Sequence, residues 1–432
     1  MKYSEALEFL FSQLPMYQRS GPAAYKNSLE NIIMLDDLYG NPHQQFKTIH
    51  VAGTNGKGSV SHMLAAILQS AGYKTGLYTS PHLNDFRERI KIDGEMIGEE
   101  YVAKWISNFR DFNKKNKIEP SFFELTVIMA FDYFSTENVD IAVIEVGLGG
   151  RLDSTNIITP EVSIITNIGV DHTALLGDSP EKIAIEKAGI IKEGIPVIIG
   201  KSQSETDSIF RHESKRKHAP FFSADKEYIV NYYYTDKKGN QHLSVENQGK
   251  ELYAGIKLDL SGFYQQENLP AVLKTVEILR DKDWSIRDEH IYSGFSHVKE
   301  ITGLQGRWQI VDRDPLVVAD TAHNADGIRE VLRQIRQTEY NQLHIIFGMV
   351  SDKDTSSIIR LLPSDAKYYF TRAAIPRAMD EKKLAAFGEA SGLKGKAYVS
   401  VKEALNSALQ NAGKDDFIFV GGSTFVVAEI LD

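Results

Sequence analysis

The chain contains no cysteine. That absence excludes disulfides, thiolate nucleophiles and cysteine-ligated zinc, and it leaves any metal to oxygen or imidazole ligands. Long apolar runs are missing as well. No stretch approaches the ~20 apolar residues of a membrane helix. At the N-terminus Glu5 and Glu8 interrupt Leu7, Phe9, Leu10 and Phe11, so no secretory leader is expected there. A surplus of positive charge is also lacking. The formal net charge of -9 argues against a broad nucleic-acid footprint and favours small-molecule chemistry. Neither a repeat of fixed period nor a low-complexity tract is present, which sets solenoids aside. These absences lead us to expect a cytoplasmic protein that meets neither membrane nor nucleic acid.

What is present suits a two-domain enzyme. The 432 residues exceed the ~250–300 at which single cores stop growing, and 42% hydrophobic with 25% charged residues is an ordinary globular mixture. Short apolar runs at 49–52, 75–79, 141–146, 162–168 and 195–199 read as buried parallel strands, each followed by a polar or glycine-rich loop. Helical periods separate them, so the class is α/β. In the first helix Val60, Met63, Leu64, Ile67, Leu68 and Ala71 keep one apolar face, and Gly72 can end it. The 228–260 stretch, with turn residues at 236–240, reads as a β-hairpin insertion. A second α/β series has strand-like runs at 316–319, 343–347, 367–370 and 417–420. The expected domains are therefore 1–302 and 303–432, divided near Gly303 and Gly306.

The first strand runs into Gly53-Thr54-Asn55-Gly56-Lys57-Gly58-Ser59 and then directly into a helix. Backbone N–H groups and the helix dipole of such a junction face anionic oxygens, so it can cradle phosphates. Lys57 would meet the β/γ-phosphates and Ser59 would ligate Mg²⁺. The loop departs from the general pattern, since Gly58 separates Lys57 from the hydroxyl. In an open parallel sheet, ligands bind beyond the carboxyl ends of the strands. Ser80, Glu145 and His172 follow or end three other strands and should therefore converge beside this loop. Ser179 and Pro180 look like an N-cap and first helical residue, and they start a helix whose apolar face carries Lys187 with Ile183, Ile190 and Ile191. A lysine there either snorkels to the edge or has a functional reason to be buried.

The run 50–59 together with Thr79-Ser80-Pro81-His82-Leu83, the 147–156 loop and Asp171-His172-Thr173 resembles the folylpolyglutamate synthase and dihydrofolate synthase family of the Mur-ligase superfamily. Later in the chain the likeness takes in Gly306-Arg307-Trp308, Asp320-Thr321-Ala322-His323-Asn324 and residues 348–354. One departure is Ala325, where the family often has proline. The resemblance implies a P-loop ATPase domain with a mainly parallel sheet and a smaller Rossmann-like domain, with substrates in the cleft between them. By motif match, Ser59 would take one Mg²⁺, and Ser80, Glu145 and His172 a second. Asn268, Arg307 and Asp320 match positions that hold adenine, phosphate and ribose, while His323 and Ser423 match the glutamate side. Lys187 matches a lysine that is carbamylated in such enzymes. Arg87, Arg89 and Asp153 lie in motifs near the expected pterin site.

The chemistry so implied is ATP-driven activation of a carboxylate to an acyl phosphate, followed by attack of the glutamate amine. The substrates would be ATP, L-glutamate and a folate or dihydropteroate, handled by a monomer. Dihydrofolate synthesis as the sole activity is one alternative, and a P-loop NTPase that makes no bond is another. A Mur-type peptidoglycan ligase usually carries an extra N-terminal domain, whereas about fifty residues precede the phosphate loop here.

Overall fold

The computed structural model describes residues 1–15, 28–351 and 353–431; Asp352, within the 348–354 segment, lies outside them. The first sheet comprises β1 (Lys47–Ala52), β2 (Thr75–Tyr78), β3 (Ile90–Ile92), β4 (Glu95–Met96), β5 (Ile141–Glu145), β6 (Val162–Ile165), β7 (Val197–Ile199) and β8 (Phe221–Ser223). Its spatial order is β4-β3-β2-β5-β1-β6-β7-β8. All pairings from β2 to β8 are parallel, and β3 and β4 close one edge antiparallel. The chain leaves β1 to one side through β2 and β5, then crosses to the other through β6 to β8. The loop after β1 therefore sits where the strand order reverses, which is where such sheets bind ligands.

Pleating sorts the core. In β5, Ile141 and Val143 enter the core around the helix Lys57–Ser70, whereas Ala142 and Ile144 enter the one built by the helices Glu99–Asn116 and Phe122–Thr136. The Lys57–Ser70 helix is buried all round from Gly58 to Leu68, because the helices Gln265–Asp281 and Asp288–Ser296 cover the side that the sheet does not. A one-sided amphipathic helix was expected from its spacing; the extra layer arrives from residues two hundred positions away.

The second sheet contains β12 (Gln309–Arg313), β13 (Leu316–Ala319), β14 (Leu343–Phe347), β15 (Lys367–Phe370), β16 (Lys394–Ala397) and β17 (Phe417–Gly421) in the order β12-β13-β17-β14-β15-β16. It too has helices on both faces, with Val318, Ile345 and Phe419 on one side and Val317, Ile346 and Ile418 on the other. Between the sheets the helix Val298–Thr302 ends at Gly303, whose φ of 66° lies in the left-handed region that glycine permits.

The structure corrects three expectations. The 228–260 stretch is a three-stranded antiparallel sheet of β9 (Tyr228–Thr235), β10 (Gln241–Asn247) and β11 (Lys250–Leu258), not a hairpin. Its second turn places Gln248 and Gly249 at φ 51° and 72°, and glutamine seldom marks such a turn. β6 stops at Ile165, because Thr166, Asn167 and Gly169 turn under the phosphate loop. The helix of Lys187 spans Pro180–Ala188, so Ile190 and Ile191 follow it while still packing in the same core.

Leu64 is 1% exposed within the enclosed helix. Leu64→Ala should cost about 2–5 kcal/mol in urea unfolding followed by far-UV circular dichroism. A loss below about 1 kcal/mol would mean that the second helical layer is not packed on it.

Candidate active site

The phosphate loop is held by backbone and by short polar side chains. Thr54 N–H donates to the Asn167 carbonyl at 3.0 Å, Asn55 N–H to Asn167 Oδ1 at 2.9 Å, and Thr166 Oγ1 donates to the Asn55 carbonyl. Close approach explains the glycines. A Cβ on Gly53 would collide with Thr166 Oγ1, and one on Gly56, which caps the helix at φ 86°, would collide with Asn268 Oδ1. A Cβ on Gly58 would sit 3.4 Å from Arg307 Nη2 and 3.7 Å from Glu145 Oε2. Lys57 folds back over the loop, donating to the carbonyls of Gly53 at 3.0 Å and Thr54 at 3.2 Å. Ser59 is buried, and its hydroxyl accepts from Gln265 Nε2 at 3.0 Å; Asn268 donates to Gln265 Oε1 at 2.8 Å.

Beside the loop lie ionisable groups in unusual states, Glu145 and Lys187 buried and His172 half-buried. Burial pushes the Glu145 carboxyl up against the opposing pull of Lys57, the Ser80 N–H and Arg307; the Ser80 N–H donates to Glu145 Oε2 at 3.2 Å. Burial holds His172 neutral, its pKa lowered to about 3. Lys187 is 4% exposed, and burial together with the nearby Lys57 charge lowers its pKa to about 7. Its Nζ donates to the Gly53 carbonyl at 2.8 Å, on the same loop that Lys57 covers. Gly150 makes this possible, since a Cβ there would lie 3.1 Å from the Lys187 Cα.

The second sheet reaches the loop through its own carboxyl-end residues. Asp171 takes His323 Nε2 at 3.3 Å and pairs with Lys353, while Asn324 Nδ2 donates to Asn55 Oδ1 at 3.0 Å and to Asp171 Oδ2 at 3.3 Å. Burial would raise the Asp171 carboxyl, but the hydrogen bond with His323 and the Lys353 ammonium hold it well below the usual range. Asn324 also caps the helix Ala325–Ile335, accepting from Gly327 N–H at 2.9 Å. Ala325 is thus the first helical residue, a position where proline and alanine are both tolerated.

A cavity of about 270 Å³ opens between the two sheets. Gly53, Thr54, Lys57, Ser80, Arg89, Asp153, His172 and Lys187 line it from the first domain, and His323 and Ser423 from the second. Ser423 caps the helix Thr424–Ala428, its hydroxyl accepting from Phe425 N–H at 3.2 Å. Asn55, Gly56, Gly58, Ser59, Glu145, Asn268, Arg307 and Asp320 are not in that lining; Glu145, Asn268 and Arg307 gather around the loop, and Asp320 stands beside Trp308. Asp320 is buried; its Oδ2 accepts from Tyr264 Oη at 2.6 Å and Trp308 N–H at 2.7 Å, and its Oδ1 from Ala322 N–H at 2.8 Å. Arg307 donates to Thr321 Oγ1. Arg87 is not brought to the cavity; Asp85 holds it at 2.6 Å and Glu99 at 3.4 Å. Sequence reasoning missed Asp171 as a bridge, Lys353 and Arg377 as cavity cations, and the Phe122-Phe123 wall. Asp171 stood in a motif already noted, yet nothing in the spacing paired it with residues of the second sheet.

Among the described residues no three His, Asp or Glu side chains form a metal cage. Of the groups expected to hold Mg²⁺, the Ser59 and Ser80 hydroxyls, the Glu145 carboxyl and the His172 imidazole are too few for an octahedral shell, and phosphate oxygens would have to complete it, as at Mg²⁺ sites commonly.

Family comparison places the chain in the same frame. Residues 51–276 match the Mur ligase middle domain and residues 306–424 the Mur ligase glutamate ligase domain, which defines the class as a Mur-type ligase. The chain is 31% identical over 437 residues to the dihydrofolate synthase/folylpolyglutamate synthase of Bacillus subtilis, covering 99% of this chain and 98% of that protein. It is 31% identical over 434 residues to a probable bifunctional folylpolyglutamate synthase/dihydropteroate synthase of Haloferax volcanii, of which it spans half. A solved complex of a folylpolyglutamate synthase with AMPPCP and folate superposes with a TM-score of 0.85 at 28% identity, covering 100% of this chain and 98% of that one. The chain belongs to the folylpolyglutamate synthase/dihydrofolate synthase family, a group of ATP-dependent amide-bond-forming ligases. Among the described residues no helix is long and apolar enough to cross a membrane.

The Gly53 contact yields a direct test. Gly53→Ala should weaken ADP binding at least roughly tenfold by calorimetry, because its φ of 146° and the Thr166 hydroxyl both oppose a Cβ. Unchanged affinity would mean that the nucleotide does not use this loop.

Proposed function

We propose that the protein joins L-glutamate to a folate carboxylate at the expense of ATP, through an acyl-phosphate intermediate. The observation that carries this reading is that one cavity is lined both by the phosphate loop and by His323, Lys353 and Ser423 of the second sheet. A bond-forming ligase has to bring phosphate, acceptor acid and amine to one place, whereas a motor or switch does not. A relative that carries both names, and a related structure holding an ATP analogue with folate, support the substrate class.

In this reading Gly53, Thr54, Asn55, Gly56, Lys57, Gly58 and Ser59 cradle the phosphates, with Lys57 turning from the loop carbonyls to the β/γ-oxygens. Asn268, Arg307 and Asp320 hold adenine, phosphate and ribose; the closeness of Asn268 to Gly56 and of Arg307 to Gly58 supports the first two. Ser59 would hold one Mg²⁺, and Ser80, Glu145 and His172 a second, each completed by phosphate oxygens. Bound there, the ions would neutralise the phosphate charge that otherwise repels an attacking carboxylate. His323 and Ser423 serve the glutamate side, and Arg89 and Asp153 the acceptor. Arg87, tied to Asp85 and Glu99, has no cavity contact to support the same role. The working domain division is 1–302 and 303–432, and the enzyme acts in the cytoplasm as a monomer.

The deciding assay supplies purified protein with ATP, labelled glutamate, and either tetrahydrofolate or dihydropteroate. Label should enter tetrahydrofolate with ADP release, and Lys57→Ala should abolish it while keeping the fold. Label in dihydropteroate alone would make the protein a dihydrofolate synthase only. ATP turnover that neither acceptor stimulates would sink the ligase reading.

Lys187 is proposed to carry a carbamate. A buried lysine amine with pKa about 7 is substantially neutral at physiological pH, and the neutral amine is the form that captures CO₂. The carbamate is anionic and suits a site that holds cations. Because the shift is downward, the neutral fraction grows as pH rises through about 7, so a ¹³C carbamate signal from labelled bicarbonate should grow over that range. Lys187→Ala should lack the signal and most activity, and Lys187→Arg should not restore either. No signal above pH ~8, where the amine is mostly neutral, would exclude the carbamate.

A further inference from the structure

His50 stands on β1, three residues before the phosphate loop begins. Ile49 and Val51 point into the core around the Lys57–Ser70 helix, so the pleat sends His50 to the opposite face, where it is fully buried. Its Nε2 lies 2.9 Å from Thr155 Oγ1, and that hydroxyl lies 2.5 Å from Asp153 Oδ1. Thr155 is also fully buried. None of the roles assigned above uses His50 or Thr155.

Proton counting gives this chain a direction. Burial pushes the Asp153 carboxyl up, but the Thr155 hydroxyl and the N–H groups of Leu148 and Thr155 pull it back, and both its oxygens accept; Thr155 thus spends its single hydroxyl proton on Asp153 and must accept from His50, which is then the neutral Nε2–H tautomer. Among the described residues the Nδ1 of His50 has no hydrogen-bond partner, which agrees with an unprotonated ring nitrogen there. Asp153 accepts further from Thr155 N–H at 3.0 Å and from Leu148 N–H at 2.8 Å, which ties the 147–149 backbone to the turn Ser154–Ile157. Asp153, Leu148, Gly149 and Ser154 form one wall of the cavity. One strand thus ends in the phosphate loop and, through a side chain three residues earlier, braces another wall of the cavity that the loop lines.

We infer that His50 and Thr155 are positioning residues that hold the 147–154 wall in register with the phosphate loop. The kinetic half of this inference rests on the ligase reading; the brace itself does not. Thr155→Val removes the hydroxyl at nearly constant shape, whereas Thr155→Ser keeps it, and the pair is compared in two ways. In ligand-free protein, amide hydrogen exchange of residues 147–157 should quicken in the Val variant at least roughly fivefold and stay near wild type in the Ser variant, with residues 53–59 unchanged in both. In turnover, KM for tetrahydrofolate should rise roughly tenfold in the Val variant, the order expected for one hydrogen bond to a charged group, while KM for ATP stays within about twofold. Thr155→Ser should restore it. Wild-type exchange in the Val variant, failure of Ser to restore, or an equal rise in KM for ATP would each overturn the inference. If Thr155→Val does not fold, His50→Gln, read in the same two ways, decides. A wild-type protein that ligates nothing would defeat the ligase reading, and the exchange comparison would still judge the brace.

Discussion

The two sheets are tied together at Asp171, on the loop after β6, which pairs at once with His323 and Lys353 of the second sheet. All three side chains lie at the junction of the two sheets, and Asp171 and Lys353 are largely withdrawn from water. Removing one partner of such a buried pair typically costs about 3–5 kcal/mol, since it strands the other charge without water or counterion. Asn324 adds neutral bonds to Asp171 and to Asn55. The result is a closed edge on which the phosphate loop and the second sheet's cations face the same space.

That edge concentrates charge where burial is expensive. Lys57 and Lys187 both approach the Gly53 carbonyl, and Glu145 lies nearby with its carboxyl pushed up by burial. Groups held this way gain little for the fold; their states suit the binding of phosphate and cations, which would compensate them. The glycines play the complementary part. At Gly53, Gly56 and Gly150 the backbone comes so close to Thr166, Asn268 and Lys187 that a side chain would separate the groups that have to meet.

Much of this was legible beforehand. The β-branched runs of β1, β5 and β6 announced buried parallel strands, and the junction at 53–59 announced a phosphate cradle. Arg89, Asp153, His172, Lys187, His323 and Ser423, singled out by their motifs, all line the one cavity. The second turn of the three-stranded sheet was not legible, because Gln248 carries no mark of a positive φ. The exposed strand Lys394–Ala397 likewise had no apolar run to show it.

The amino-acid sequence by itself determined the local elements: which segments are buried strands, where a helix starts on a phosphate loop, and which polar residues end the strands. These follow from spacing and residue type within a few positions. Tertiary structure alone decided that Asp171 bridges the two halves, that Arg87 turns away to Asp85 and Glu99, and that His50 reaches Thr155 over a hundred residues away. The reason is physical: a buried charge or hydrogen bond is settled by whichever partner the packed sheets bring within about 3 Å, and no local pattern encodes that partner.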